Sequence, residues 1–250
     1  MVDNSLKTSD FSSKILEIMD HVEYRRIESG EDMEEVERLR YKAYKAREVL
    51  PVAAKSMIDD ADFDSQAYVF GLYYYEQLVS TIRIHHVTPD HRVSQSGGIF
   101  PAEMNAFLDA GLSLVDPARF AADPELSTEL PWLPYLTLRP NIVAAAHFRA
   151  DRVMQHVRPA HAAFYKRVFY ADTVVANRMT ETYGFELTLM ATNVIEVGRK
   201  LLTRYPFFIS SASEQRMMFS RDPVGGMPPL NIIPTARFMP EGDLGTDLPL

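Results

Sequence analysis

Residues 67–87 carry two apolar runs end to end, AYVFGLYYYE and LVSTIRIHHV, joined at Glu76-Gln77. Both are dense in aromatic and β-branched side chains and neither contains proline, so they predict an antiparallel strand pair. A fold built on that pair needs further strands at its edges and helices over its faces. Upstream, SSKILEIMDHV has helical spacing with serine caps available, and EYRRIES reads as a first strand closed by Gly30. EDMEEVERLRYKAYKAREVL spaces Met33, Val36, Leu39, Arg40, Ala43 and Tyr44 for a helix. Its acidic residues come first and its basic residues later, which suits the helix dipole. Pro51 and an acidic loop, MIDDADFDSQ, lead into the hairpin.

Downstream, TPDHRVSQSGG is turn-rich and PAEMNAFLDA is a short helix ended by Gly111. LSLVDPARFAAD is a strand that Pro117 breaks or bulges, and LPYLTLRPNIVAAAHFRAD is a helix that Pro140 either starts or kinks. VMQHV then reads as a strand, PAHAAFYKRVF as a helix led by proline, TVVANRM and YGFELTLMATN as strands, and VIEVGRKLLTRYPFF as a last helix. The final thirty residues hold six prolines and four glycines and read as loop. This order predicts a mixed α/β fold with a largely antiparallel central sheet flanked by helices. The expected organisation is one domain over residues 1–220, with 1–22 as a helical extension and 221–250 as a proline- and glycine-rich tail.

Composition removes several classes of chemistry. With no cysteine in the chain, disulfides, thiolate zinc sites, iron–sulfur clusters and a cysteine nucleophile are excluded. No stretch approaches about 18 consecutive apolar residues, so no integral membrane segment is expected. The polar N-terminus lacks the apolar centre of a signal peptide, and the expected location is cytoplasmic. A net charge of −8 argues against non-specific nucleic-acid binding. DDADFD lacks the glycine and terminal glutamate of a calcium loop. His85 and His86, adjacent on a strand, point to opposite faces and make a poor ligand pair; with His147 they receive no role, and no metal site is expected.

Two features remain. Residues 139–167 contain Arg139, Arg149, Arg152, Arg158, Lys166 and Arg167 against Asp151 alone, either a solvated helix face or a dock for an acidic partner or phosphate-bearing group. On a helical wheel through residues 160–169, Phe164, Val168, His161, Tyr165 and Phe169 share one arc and Lys166, Arg167 and Ala163 lie opposite. Tyr165 therefore faces inward. It is either a core tyrosine whose hydroxyl finds one partner or a functional hydroxyl.

The run from strand through RPAHAAFYKRVF to strand resembles the late motif of the GNAT acyltransferase superfamily, whose tyrosine protonates a departing thiolate. LRYKAYKAREVLP, DDADFD, the hairpin and VDPARFA, in that order, resemble the acyl-homoserine-lactone synthases, which share the GNAT fold. The whole, over about residues 20–205, is most similar to the N-acyl amino acid synthases of the FeeM type. The resemblance implies Tyr165 and Asp116 as catalytic residues, with Asp116 accepting the ammonium proton or else only pairing with Arg119. It implies Arg40, Arg83, Arg119 and Phe120 in substrate binding, with Arg83 or Arg40 gripping a carboxylate or else buried against Asp62 or Asp64.

No nucleotide-binding glycine fingerprint is present, and LTLRPNIVAAAH lacks the glycines of the usual GNAT cofactor loop. The implied donor is therefore the acyl-phosphopantetheine of acyl carrier protein, held by Arg149, Arg152, Arg158, Lys166 and Arg167, with no permanently bound cofactor. The early-loop tryptophan of the lactone synthases is missing, so S-adenosylmethionine is not the expected acceptor. The expected reaction moves a long acyl chain from carrier protein to the amino group of an amino acid. The alternative is a non-catalytic GNAT-like domain that binds an acyl ligand or a partner protein.

Overall fold

The computed structural model describes residues 9–48, 56–181, 183–221 and 231–239. In chain order the elements are α1 (Asp10–Ile18), β1 (Val22–Arg26), α2 (Gly30–Ala46), β2 (Ala67–Tyr74), β3 (Gln77–Val87), α3 (Gln95–Ile99), α4 (Pro101–Asp109) and β4 (Leu114–Ala122). They continue with α5 (Leu126–Glu129), α6 (Leu133–Phe148), β5 (Arg152–Val157), α7 (Ala162–Phe169), β6 (Asp172–Thr180), β7 (Phe185–Asn193), α8 (Val194–Arg204) and α9 (Ala212–Phe219). The strands form one seven-stranded sheet in the order β1-β2-β3-β4-β5-β7-β6. Every neighbouring pair is antiparallel except β4 with β5. The expected mixed, largely antiparallel sheet flanked by helices is the one observed.

Local chemistry explains the elements that the sequence makes legible. Ser29 accepts a hydrogen bond from the Asp32 amide to start α2, and Met33, Val36, Leu39, Arg40 and Ala43 form its buried face. Helix α6 is buried along most of its length and lies at the centre of the main apolar core. Pro140 neither starts nor ends it. Proline has no N–H to give the carbonyl four residues earlier. That carbonyl, on Leu136, instead accepts the Tyr24 hydroxyl at 2.6 Å, a bond that avoids the roughly 1–3 kcal/mol cost of a buried unpaired acceptor.

Other expectations change. QSGGI is not a turn but helix α3, whose first turn the Ser94 side chain caps. Pro117 does not break β4: the pairing steps from Arg83 opposite Ala118 to Thr81 opposite Ala121, so Arg119 and Phe120 form a bulge. Arg119 takes left-handed backbone within the bulge, with φ of 55°. VIEVGRKLLTRYPFF does not contain the last helix, because α9 follows it, capped by Ser211. Part of the tail is ordered against the sheet: Ile232 exchanges both backbone hydrogen bonds with Tyr24, at 2.9 and 2.8 Å. The rest of the expected tail, residues 222–230 and 240–250, lies outside the described residues.

Arg139, counted among the basic residues of 139–167, is fully buried. Its guanidinium pairs with both oxygens of Glu214 on α9 and donates to the carbonyls of Phe207 and Ile209 at 2.7 and 2.6 Å. Glu214 also accepts the Thr235 amide and hydroxyl, at 2.9 and 2.6 Å, so one ion pair ties α6, α9 and the ordered tail together.

Candidate active site

The parallel pairing of β4 and β5 covers two residue pairs, Leu114 with Arg152 and Val115 with Val153. Beyond them β4 and β5 separate. Pro117, two residues past the last pair, has no N–H to extend the ladder, and the bulge at Arg119 turns β4 further away. A cleft of about 840 Å³ occupies the gap, lined by residues 117–122 of β4, 155–158 at the end of β5, and side chains of α2, α6 and α7. Ile82, Ala118, Ala122, Pro134, Leu138 and Phe164 give it an apolar wall, while Arg47, Arg119, Gln95, His156, Arg158 and Tyr183 bring polar groups.

Tyr165 lines this cleft. Its ring packs against Phe164 and Phe169, with centroids at 5.3 and 5.8 Å. Burial alone pushes its hydroxyl above the ordinary phenol range, and no hydrogen bond to a described residue offsets this. The core-tyrosine alternative required such a partner. The wheel is right for Val168 and Phe169, which are buried, and wrong for His161, which is exposed. His161 ends a 3-10 turn over Pro159–His161 and does not follow the α-helical pitch.

The arginines expected to hold substrate separate into two groups. Arg40 and Arg83 are fully buried and are not among the residues lining the cleft. Arg40 donates to both oxygens of Asp62 at 2.9 Å. Arg83 lies 3.2 Å from Asp62 and 2.5 Å from Asp59, and reaches Gln95 at 2.7 Å. Asp64 pairs with His91 at 2.8 Å. Arg119 does line the cleft, and it is bound from behind by Asp59. Burial opposes ionisation of Asp59, but Arg83 and Arg119 outweigh it and hold the carboxyl at about 2. Arg40, Arg83 and Arg119 face Asp59 and Asp62, which leaves one excess positive charge at the end that meets the cleft.

Asp116 is fully buried and does not line the cleft. Its carboxylate accepts the Ser96 amide at 2.8 Å and the Ser96 hydroxyl at 2.5 Å. It therefore neither meets substrate directly nor serves Arg119, whose partner is Asp59. The same Ser96 oxygen lies 2.8 Å from Nδ1 of His156, a cleft residue that the sequence reading passed over. Phe120 lies on the cleft wall.

The basic residues do not form one patch. Arg158 stands at the cleft with its guanidinium 4.8 Å from the Phe185 ring centre. Lys166 and Arg167 are exposed on the outer side of α7. Arg152 bonds the Asp151 carbonyl and the Asn193 side chain, both at 2.9 Å, and Arg149 is exposed at the end of α6. Both sit at the opposite end of β5 from Arg158, about 20 Å along a strand of six residues. Among the described residues no cluster of three or more His, Asp or Glu could hold a metal.

The family model for the N-acyl amino acid synthase FeeM matches residues 35–193, which spans the hairpin, both separated strands and α7. The chain belongs to the FeeM family. It is an N-acyltransferase of the N-acyl amino acid synthase kind. The structure of FeeM from uncultured soil microbes superposes with a TM-score of 0.61 at 20% identity, covering 73% of this chain and 96% of that one. An acyl-CoA N-acyltransferase from Pseudomonas aeruginosa follows with a TM-score of 0.50 at 12% identity, covering 68% and 98%. The lactone synthase LasI gives 0.44 at 13%, covering 69% and 89%. At these identities the likeness is one of fold, which is GNAT-like. Among curated sequences nothing matches.

Proposed function

We propose that this FeeM-family protein moves a long-chain acyl group from the phosphopantetheine arm of acyl carrier protein to the amino group of an amino acid. The products are an N-acyl amino acid and the free carrier thiol. The cleft between β4 and β5 carries the proposal: two strands with unpaired edges, an apolar wall, and the Tyr165 hydroxyl within it. An amide-bearing arm can add to such edges as an extra strand would, and the apolar wall suits an alkyl chain. Arg119, which lines the cleft where Arg40 and Arg83 do not, is positioned to take the acceptor's carboxylate in their place.

Tyr165 protonates the sulfur as the carbon–sulfur bond breaks. Its raised affinity for the proton makes it a weaker acid than an exposed phenol, but the same apolar neighbours, Phe164 and Phe169, destabilise the departing thiolate and make it a stronger base. A carrier-bound donor is favoured over a coenzyme A ester by the segment after β4. LTLRPNIVAAAH falls inside α6, so the connection that precedes that helix is residues 123–132. It contains no glycine and carries Asp123, Glu125 and Glu129, a poor seat for a pyrophosphate. No resident cofactor is required, and the cytoplasm, where carrier and amino acids are available, is the proposed site of action.

Helix α7 presents Tyr165 to the cleft and Lys166 and Arg167 to solvent. With Arg158 at the cleft, these two form the proposed dock for an acidic carrier. Reversing both charges, Lys166→Glu with Arg167→Glu, raises KM for acyl carrier protein about tenfold or more, on the scale of 1.4 kcal/mol per decade. KM for the amino acid stays within twofold. Steady-state kinetics with each substrate varied in turn checks this, and an unchanged carrier KM removes α7 from the docking surface.

A further inference from the structure

Asp116, Ser96 and His156 come from β4, α3 and β5 and make one hydrogen-bonded chain that ends at the cleft. Its direction is fixed by counting protons. The Asp116 carboxylate only accepts, and it takes both the Ser96 amide and the Ser96 hydroxyl. A serine hydroxyl has one hydrogen. Having given it to Asp116, Ser96 can only accept from His156, so the ring proton sits on Nδ1. The ring edge turned away from Ser96 carries Nε2, which is left with a bare lone pair on a residue that lines the cleft.

We infer that His156 is the base that takes the proton from the attacking amine, and that Ser96 and Asp116 are positioning residues that fix its tautomer. This rests on the acyl-transfer reading. As the amine nitrogen bonds to the thioester carbon, it loses a proton to His156 Nε2. The carbon–sulfur bond then breaks with its electron pair on sulfur, and Tyr165 supplies the proton to sulfur. Solvent returns a proton from the imidazolium to the phenolate. Burial keeps His156 below the ordinary imidazole range; Asp116 acts in the opposite direction, and Arg83 and Arg119 add to the lowering. The ring is therefore neutral at pH 7, as a base must be. Tyr44 of α2, Arg47 just after it, Arg119 of β4, Arg158 after β5, His161 before α7, Tyr165 of α7 and Tyr183 from the turn before β7 are the other titratable or charged groups on the same cleft.

The chain can be reversed by one isosteric change. In Asp116→Asn the side-chain amide donates to Ser96, whose hydroxyl turns to Nδ1 and moves the ring proton to Nε2. Nitrogen-15 NMR of histidine-labelled free protein reads the tautomer without turnover: the unmodified protein shows Nδ1–H and Asp116→Asn shows Nε2–H. With acyl carrier protein and amino acid, Asp116→Asn and His156→Gln each lower kcat about 10²-fold or more, while circular dichroism is unchanged. An Nε2–H ring in the unmodified protein overturns the positioning role. A flipped tautomer with undiminished kcat overturns the base. No N-acyl product from the unmodified protein sinks the acyl-transfer reading and the base role with it, while the tautomer result stands by itself.

Discussion

Replacing Tyr165 with phenylalanine lowers kcat by about 10²- to 10⁴-fold, the usual worth of a positioned general acid, and leaves the melting temperature within a few degrees. The two halves of this expectation come from one environment. The ring is held by Phe164 and Phe169, contacts that phenylalanine keeps. The hydroxyl makes no hydrogen bond to a described residue, so its removal orphans no partner there. A core tyrosine would behave in the opposite way, losing stability and keeping turnover. Steady-state kinetics beside a thermal melt separates the two, and a lowered melting temperature with normal kcat assigns Tyr165 to the core.

Glu214→Ala is the substitution with the largest expected effect on stability. It leaves the fully buried Arg139 without its carboxylate and takes the acceptor from Thr235. Breaking one side of a buried ion pair costs about 3–5 kcal/mol, and in a chain of this size that is on the order of 10 °C in Tm. Arg139→Met with Glu214→Leu recovers much of the loss, because no charge is then left unpaired. Calorimetry of the single and double variants checks both statements. A shift of about 2 °C or less for Glu214→Ala means that the pair is not a tie between α6 and α9.

What was legible in the sequence follows the reach of each signal. The hairpin, α2 and the inward side of α7 are set by spacing within a few residues, and they formed as expected. Helix α3 was not legible because QSGGI has no apolar period and two glycines; beside the local Ser94 cap, a second bond at its start comes from Asp116, twenty positions along the chain. Helix α9 was hidden because two of its buried residues are Glu214 and Gln215, and polar residues at inward positions blur the pattern. The same blindness applies to charge. Arg139 counts as one of a basic group in the sequence, since nothing beside it shows the carboxylate that buries it; for Arg40 and Arg83 burial against Asp62 or Asp64 is one of two open alternatives, and the structure takes it with Asp62 and Asp59. His156 was passed over for that reason too: its partner Ser96 lies sixty positions away.

The central claim is that this cleft joins an acyl chain from a carrier to an amino acid. Mass spectrometry of the purified protein, incubated with acyl carrier protein bearing chains of several lengths and with the twenty amino acids, tests it most directly. The account predicts a new species with the mass of an N-acyl amino acid, formed only when acylated carrier is present. Carrier that binds without any such product would instead mark the protein as a GNAT-like acyl-binding domain and contradict the account.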